Sequence, residues 1–203
     1  MKKQKEWQPP KGVTWLISDP HLFHLAIIRM CGRPFVDAAG EPDVSAMNSV
    51  IEANWQAVVR PGDTIYCLGD FSHREPDGDE LSRLFDRLPG RKILIRGNHD
   101  KAALALPWDE VHDVVHTTID SQKVTLCHYR WADWPGRRRG ALMLYGHSHG
   151  GQPGNQQSMD IGVDIMGWSP VKMNQIKAVM AELPPAPDFE AGDDLDLERG
   201  LSL

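Results

Sequence analysis

A chain of 203 residues, 41% of them hydrophobic and with a formal charge of −6, can bury one compact core but hardly two, so a single domain is expected. No run of roughly eighteen apolar residues offers a membrane span, and Met1-Lys2-Lys3-Gln4-Lys5-Glu6 leads into Trp7-Gln8-Pro9-Pro10 rather than an apolar signal core, so the expectation is a cytoplasmic protein. Cys31, Cys67 and Cys127 are odd in number, far apart and without a Cys-X-X-Cys, which favours buried thiols in a reducing compartment over disulfides or a zinc finger.

Residues 1–12 read as an N-terminal extension. The first strand-like run, 13–17, stops at Ser18-Asp19-Pro20-His21. Asp43 or Ser45 can then cap a helix reaching about Arg60, with Val44, Met47, Val50, Ile51, Trp55 and Val58 as its apolar stripe. Pro61-Gly62-Asp63 ends that helix and turns into a second strand, 64–68, which stops at Gly69-Asp70. A further helix over 79–88 ends at Pro89-Gly90 and precedes a third strand, 92–95, followed by Gly97-Asn98-His99-Asp100. The pattern then changes. Residues 111–119 and 123–127 read as adjacent strands joined through Asp120-Ser121-Gln122, and His128 follows the second of them. A run at 141–145 stops at Gly146-His147-Ser148-His149, and residues 171–183 fit helix or strand. The predicted fold class is α/β: two mixed β-sheets packed as a sandwich and flanked by helices. The predicted domain covers 13–183. From Pro184 onward the chain holds six acids and one arginine, too little apolar surface to offset the entropy of ordering it. Residues 184–203 are therefore expected to be an acidic, disordered tail that carries most of the net charge, leaving the body nearly neutral.

Each of five short apolar runs ends in Asp, Asn or His residues. Open sheets present functional groups at the carboxyl ends of their strands, and these side chains are ligands for divalent metals. Two cations about 3.5 to 4 Å apart need one carboxylate between them and neutral nitrogens around them. Asp70 is the bridging candidate. Two dications set against the carboxylates of Asp19 and Asp70 and one hydroxide leave the site positive, which suits an anionic ester. Asn98 adds an amide oxygen without further negative charge, so the metals stay Lewis acidic. Imidazole, carboxylate and amide donors favour Mn, Fe, Zn, Co or Ni over Ca or Mg.

Taken together, Asp19-Pro20-His21, Gly69-Asp70, Gly97-Asn98-His99-Asp100, His128 and Gly146-His147-Ser148-His149 resemble the calcineurin-like metallophosphoesterases. Ser18 to His24, Arg33-Pro34-Phe35 and residues 47–55 are similar to a compact subgroup common in bacteria and phages. The resemblance spans roughly 13–183 and implies the two-sheet architecture. Residue by residue it places Asp19, His21, Asp70 and His149 on one metal, and Asp70, Asn98, His128 and His147 on the other. It favours Mn as the metal. It also implies that His99 is the general acid, with Asp100 holding its ring, and that a metal-bridging hydroxide attacks phosphorus in line. Pro20 within the first motif, and Phe71-Ser72-His73 where longer members often carry an acid, depart from the pattern without removing a ligand.

Substrate contacts are expected from His24, Arg33 and Arg130. His24 fits equally a role beside the metal ligands and a plain surface position. His73 is read as solvent-exposed, and His112 and His116 as ordinary packing or surface residues. Arg137-Arg138-Arg139, interleaved with Trp131 and Trp134, lies between two ligand motifs and should loop near the cleft mouth. It reads first as a solvated basic turn anchored by its tryptophans, and secondly as a grip for phosphates and bases. Three activities fit. The first is a phosphodiesterase acting on nucleotide, cyclic-nucleotide or single-stranded nucleic-acid diesters. The second is a phosphomonoesterase, including a protein phosphatase. The third is a non-catalytic interaction module, which the presence of both His99 and Asp70 disfavours.

Overall fold

A computed structural model describes residues 12–187. The expected extension, Gly12 excepted, and the acidic part of the expected tail therefore lie outside the described residues.

Alternating side chains divide the core between two layers. Strands β1 (Thr14–Ile17), β2 (Thr64–Cys67), β3 (Arg91–Ile95) and β4 (Glu110–His112) form one sheet in that order, every pair parallel. On one face Trp15, Ile17, Ile65, Cys67 and Leu94 meet helices α1 (Leu25–Met30), α2 (Val44–Val58) and α3 (Gly78–Arg87). On the other face Leu16, Tyr66, Ile93 and Ile95 meet a second sheet through its Val124, Leu126, Leu142 and Leu144. The period of two along each strand puts successive residues on opposite faces, and burial on both faces explains why these strands read as continuous apolar runs. Helix α2 begins where the Asp43 side chain accepts from the Ala46 amide at 2.9 Å, and Asp77 caps α3 in the same manner through the Asp79 and Glu80 amides.

The second sheet contains β5 (Val114–Ile119), β6 (Gln122–Cys127), β7 (Leu142–Tyr145) and β8 (Ser158–Asp160) in that order. Strands β5 and β6 form an antiparallel hairpin, whereas β6–β7 and β7–β8 are parallel. Asp120 and Ser121 both have positive φ, 48° and 65°, as a two-residue hairpin turn compatible with strand twist requires. Only the second sheet is mixed; the first is wholly parallel. The segment expected as one strand over 111–119 is two. Its first part completes the first sheet, and the chain crosses to the second at Asp113, which Arg96 holds through two hydrogen bonds of 2.8 and 2.6 Å. After α4 (Val163–Met166), Val171 bridges to Leu16, and α5 (Met173–Ala181) adds Met173, Ile176 and Met180 to the inter-sheet core.

The 131–140 segment does not reach the cleft mouth. Trp134 is buried with Cys127, Ala141, Met143 and Tyr145 on the far face of the second sheet, and its indole donates to the Ala141 carbonyl at 2.9 Å. Trp131 lies edge-on to His116, and Arg137 stacks over Trp134. These tryptophans anchor a basic turn that covers sheet surface.

Candidate metal centre

All five motifs sit just past the carboxyl ends of β1, β2, β3, β6 and β7, where the two sheets open side by side. Main-chain bonds splice the loops together: the Asp19 amide donates to Gly69, His21 to Asp70, and Gly146 to His128. Asp19, His21, Asp70, His147 and His149 all adopt left-handed backbone, with φ between 46° and 67°. For residues other than glycine this conformation costs about 1 kcal/mol or more each and persists only when the surroundings enforce it. Glycines allow the loops to close. A Cβ on Gly97 would stand 2.2 Å from Asp70 Oδ1, and one on Gly146 would stand 2.2 Å from Asp19 Oδ2.

Two of the four groups of ligand atoms among the described residues consist wholly of expected ligands: Asp19, His21 and His149, and Asp70, His128 and His147. Asp70 lies between them. Its Oδ2 is 3.5 Å from His21 Nε2 and 3.5 Å from His128 Nε2, while its Oδ1 accepts from the His99 amide at 2.7 Å. Asn98 Oδ1 is 3.2 Å from His128 Nε2, so the amide oxygen faces the second group. Asp19 accepts from Ser18 Oγ at 2.6 Å and, through both oxygens, from the His147 amide at 3.0 Å.

The donor set fits a pair of divalent cations. His21 Nε2 is buried without a hydrogen-bond partner and faces the two carboxylates. Burial pushes the Asp19 carboxyl up to about 7 and the His21 imidazole down to about 2. Burial opposes a proton on His128 too, but its bond to Asp70 and the charges of Asp19 and Asp70 lift it to about 9. A neutral imidazole at one end of the cluster and a bound proton at the other are both relieved by a cation that two carboxylates attract.

Supporting residues fix the ligands from behind. His128 Nδ1 lies 2.8 Å from the Leu68 carbonyl, and His149 Nδ1 lies 2.7 Å from Asp164 Oδ2. Each contact directs the opposite nitrogen inward, the usual arrangement for metal-binding histidines. Asp164 was not foreseen from sequence; its only local signal is an acid after a glycine-rich loop.

The structure relocates several expected roles. Asp100 does not hold the His99 ring. Its carboxylate accepts from the amides of Asp70 (2.9 Å), Phe71 (2.8 Å) and Gly97 (2.7 Å), tying the second and third loops together, while His99 Nδ1 is buried without a partner. Arg33 is not available to substrate: it is 3% exposed and forks onto Asp164 at 2.9 and 2.8 Å. His24 is buried, with Nδ1 3.1 Å from His21 Nδ1, and His73 is half-buried with its ring 4.8 Å from that of His24 rather than free in solvent. Arg130 is exposed above the Tyr145 ring, outside the residues that line the cleft. His112 lies away from the cleft, beside Glu110 at 2.8 Å.

Fold and donor set together define a metal-dependent hydrolase built on a two-sheet α/β sandwich. A sequence model of the calcineurin-like phosphoesterases matches residues 13–180, and the chain belongs to that family, whose members are metal-dependent phosphoesterases. It is 29% identical over 169 residues to the uncharacterized protein MJ1445 of Methanocaldococcus jannaschii, covering 80% of this chain and 88% of the relative. It is 25% identical over 189 residues to the Gene 66 protein of Mycobacterium phage L5, covering 76% and 87%. Among solved structures, a protein of unknown function from Aquifex aeolicus superposes with a TM-score of 0.61 at 27% identity, over 82% of this chain and 98% of that one.

Proposed function

We propose that this chain is a two-metal phosphodiesterase acting on small nucleotide or cyclic-nucleotide diesters. The observation that carries the reading is the position of Asp70, one carboxylate oxygen of which is equidistant from a histidine of each ligand group. Asp19, His21, Asp70 and His149 would hold one cation, and Asp70, Asn98, His128 and His147 the other. Mn is the proposed metal, with Fe, Zn, Co or Ni also compatible with these donors. When bound, the cations supply Lewis acidity and lower the pKa of water towards neutrality.

The lining of the cleft favours a diester over a monoester. His21, Asp70, Asn98, His147 and His149 of the candidate ligands line it, with His24, His99, Ile27, Met30 and Cys31, and no Lys or Arg is among its described lining residues. A dianionic monoester or a polyanion would gain from additional cations there, whereas the single charge of a diester is matched by the metal pair alone. This also weakens the single-stranded nucleic-acid reading, because neither Arg33 nor the 131–140 turn faces the cleft. Bis-p-nitrophenyl phosphate should therefore be cleaved in preference to p-nitrophenyl phosphate by manganese-loaded protein. Preference for the monoester would move the assignment to a phosphatase, and silence with two bound metals would revive a non-catalytic module. The three unpaired cysteines among the described residues fit the proposed cytoplasmic setting.

His99 would donate to the leaving oxygen, a role supported by its amide bond to Asp70 and its ring packed edge-on against His21 at 5.1 Å. His99→Ala should keep both metals. It should lower kcat about 10²- to 10⁴-fold for alkyl diesters and much less for nitrophenyl esters, whose leaving oxygen barely needs a proton. Equal losses on both, read by steady-state kinetics, would contradict proton donation.

His24 acts through His21. His24 Nδ1 lies 3.1 Å from His21 Nδ1; a cation held by His21 Nε2 would leave the His21 proton on Nδ1, which would then donate to His24. His24→Leu should weaken manganese at the first position about 10- to 100-fold in calorimetric titration. His24→Asn, which returns an acceptor near that point, should recover part of the loss.

A further inference from the structure

Beside the metal cleft, of about 670 Å³, lies a second and larger depression of about 790 Å³. His24 and Met30 line both, so the two spaces adjoin. Its walls are Phe23, Leu25, Ala26, Met30 and Pro42, with His73 beside His24 at the inner end. Helix α1 explains the apolar walls. Ile27 and Ile28 go into the core, which turns Leu25, Ala26, Arg29 and Met30 outward; Leu25 is 51% and Met30 74% exposed. Two large apolar side chains displayed together on a six-residue helix, at the lip of a reactive cleft, expose apolar area that a bound group would cover.

The charges select the group. Arg29 is paired with Glu41 at the rim, so the depression carries no unbalanced charge among its described lining residues. A second phosphate would find no free cation here, and a neutral arm loses nothing. Two imidazole faces and a thioether favour a flat ring over a branched chain.

We propose that this depression is a subsite for a neutral aromatic ring carried on one ester arm of the substrate, such as a nucleobase, aligned by the phosphate in the adjoining cleft. The proposal rests on the phosphodiesterase reading and deepens it by naming what the second arm must be. Ala26, Met30 and Leu25 are then specificity residues with no part in the chemistry.

The test compares bis-p-nitrophenyl phosphate with methyl p-nitrophenyl phosphate on manganese-loaded, full-length protein. Both esters have the same leaving group and charge, and differ only in the second arm. Their intrinsic reactivities differ, but that difference cancels when wild type is compared with variants. Ala26→Trp, which fills the depression, should reduce the kcat/KM ratio of aryl to methyl diester about tenfold, mostly through KM; Met30→Ala should reduce it less. In calorimetric titrations phenylphosphonate should bind about tenfold more tightly than methylphosphonate, and Ala26→Trp should erase the difference. An unchanged ratio together with equal phosphonate affinities would overturn the subsite. If neither diester turns over while phenylphosphonate keeps its Ala26-dependent advantage, the subsite stands and the phosphodiesterase reading falls.

Discussion

Asp70→Asn should leave a folded protein that turns over neither diester nor monoester at a useful rate. The change preserves size and one acceptor oxygen, so the bond from the His99 amide to Oδ1, 2.7 Å in the native protein, can persist. The group that replaces Oδ2 decides the outcome. In the native chain that oxygen faces His21 Nε2 and His128 Nε2 at 3.5 Å each; in the variant a neutral NH₂ would direct its hydrogens at both cation positions. Burial resists ionisation of Asp70, yet the bond to His128, the nearby imidazoles and the His99 amide hold it down at about 2, so a full negative charge is removed at every working pH. Losing the shared ligand should cost roughly 4 kcal/mol or more of transition-state stabilisation, about a thousand-fold in kcat/KM. Manganese stoichiometry measured by elemental analysis should fall below two per chain. Retention of two ions with normal turnover would remove Asp70 from the bridging position.

The ligand motifs were legible because each is short, contiguous and preceded by its own strand. An apolar run cut off by Asp, Asn or His announces both a β-strand and the loop that follows, and parallel pairing alone brings such loops to one edge. Residues that act through partners remote in the chain were not legible. Asp100 follows His99 directly, which favoured a local role, but its carboxylate reaches back 30 and 29 residues to the amides of Asp70 and Phe71 and only three to Gly97. The single strand expected over 111–119 failed for a related reason. Both halves suit extended backbone, and nothing local marks Asp113 as the place where the chain changes sheets; its Arg96 partner lies 17 positions upstream. Burial also inverted some expectations. Arg33 is expected from sequence at the substrate, and His24 equally beside the ligands or on the surface, yet both are enclosed because the loops around them fold inward on the metal site.

Arg33→Leu should destabilise the fold rather than weaken substrate binding, and the two readings differ sharply in what is measured. The guanidinium makes four bonds to oxygen: a fork onto Asp164 at 2.9 and 2.8 Å, and single bonds to the carbonyls of Asp19 at 2.9 Å and Pro20 at 3.0 Å. It also faces the Trp168 ring at 5.2 Å. Those carbonyls belong to the strained turn that presents Asp19 and His21, and Asp164 in turn holds His149 Nδ1. One buried cation thus fixes three candidate ligands of the same metal. Although burial resists its ionisation, His149 and Arg33 hold the Asp164 carboxyl below the usual carboxylate range. Without Arg33 it becomes a half-compensated buried anion beside two unsatisfied carbonyls. Breaking a buried pair from one side costs about 3 to 5 kcal/mol, a large share of the roughly 5 to 15 kcal/mol that holds a domain together. Denaturant unfolding of metal-free protein should show that loss. Arg33→Lys should recover little of it, because an ammonium cannot fork. Pairing Arg33→Leu with Asp164→Leu should cost less than the two single changes combined, since neither charge is then left alone. If Arg33 instead gripped substrate, unfolding would shift by about 0.5 kcal/mol at most, as for an ordinary surface change, while KM for diesters rose.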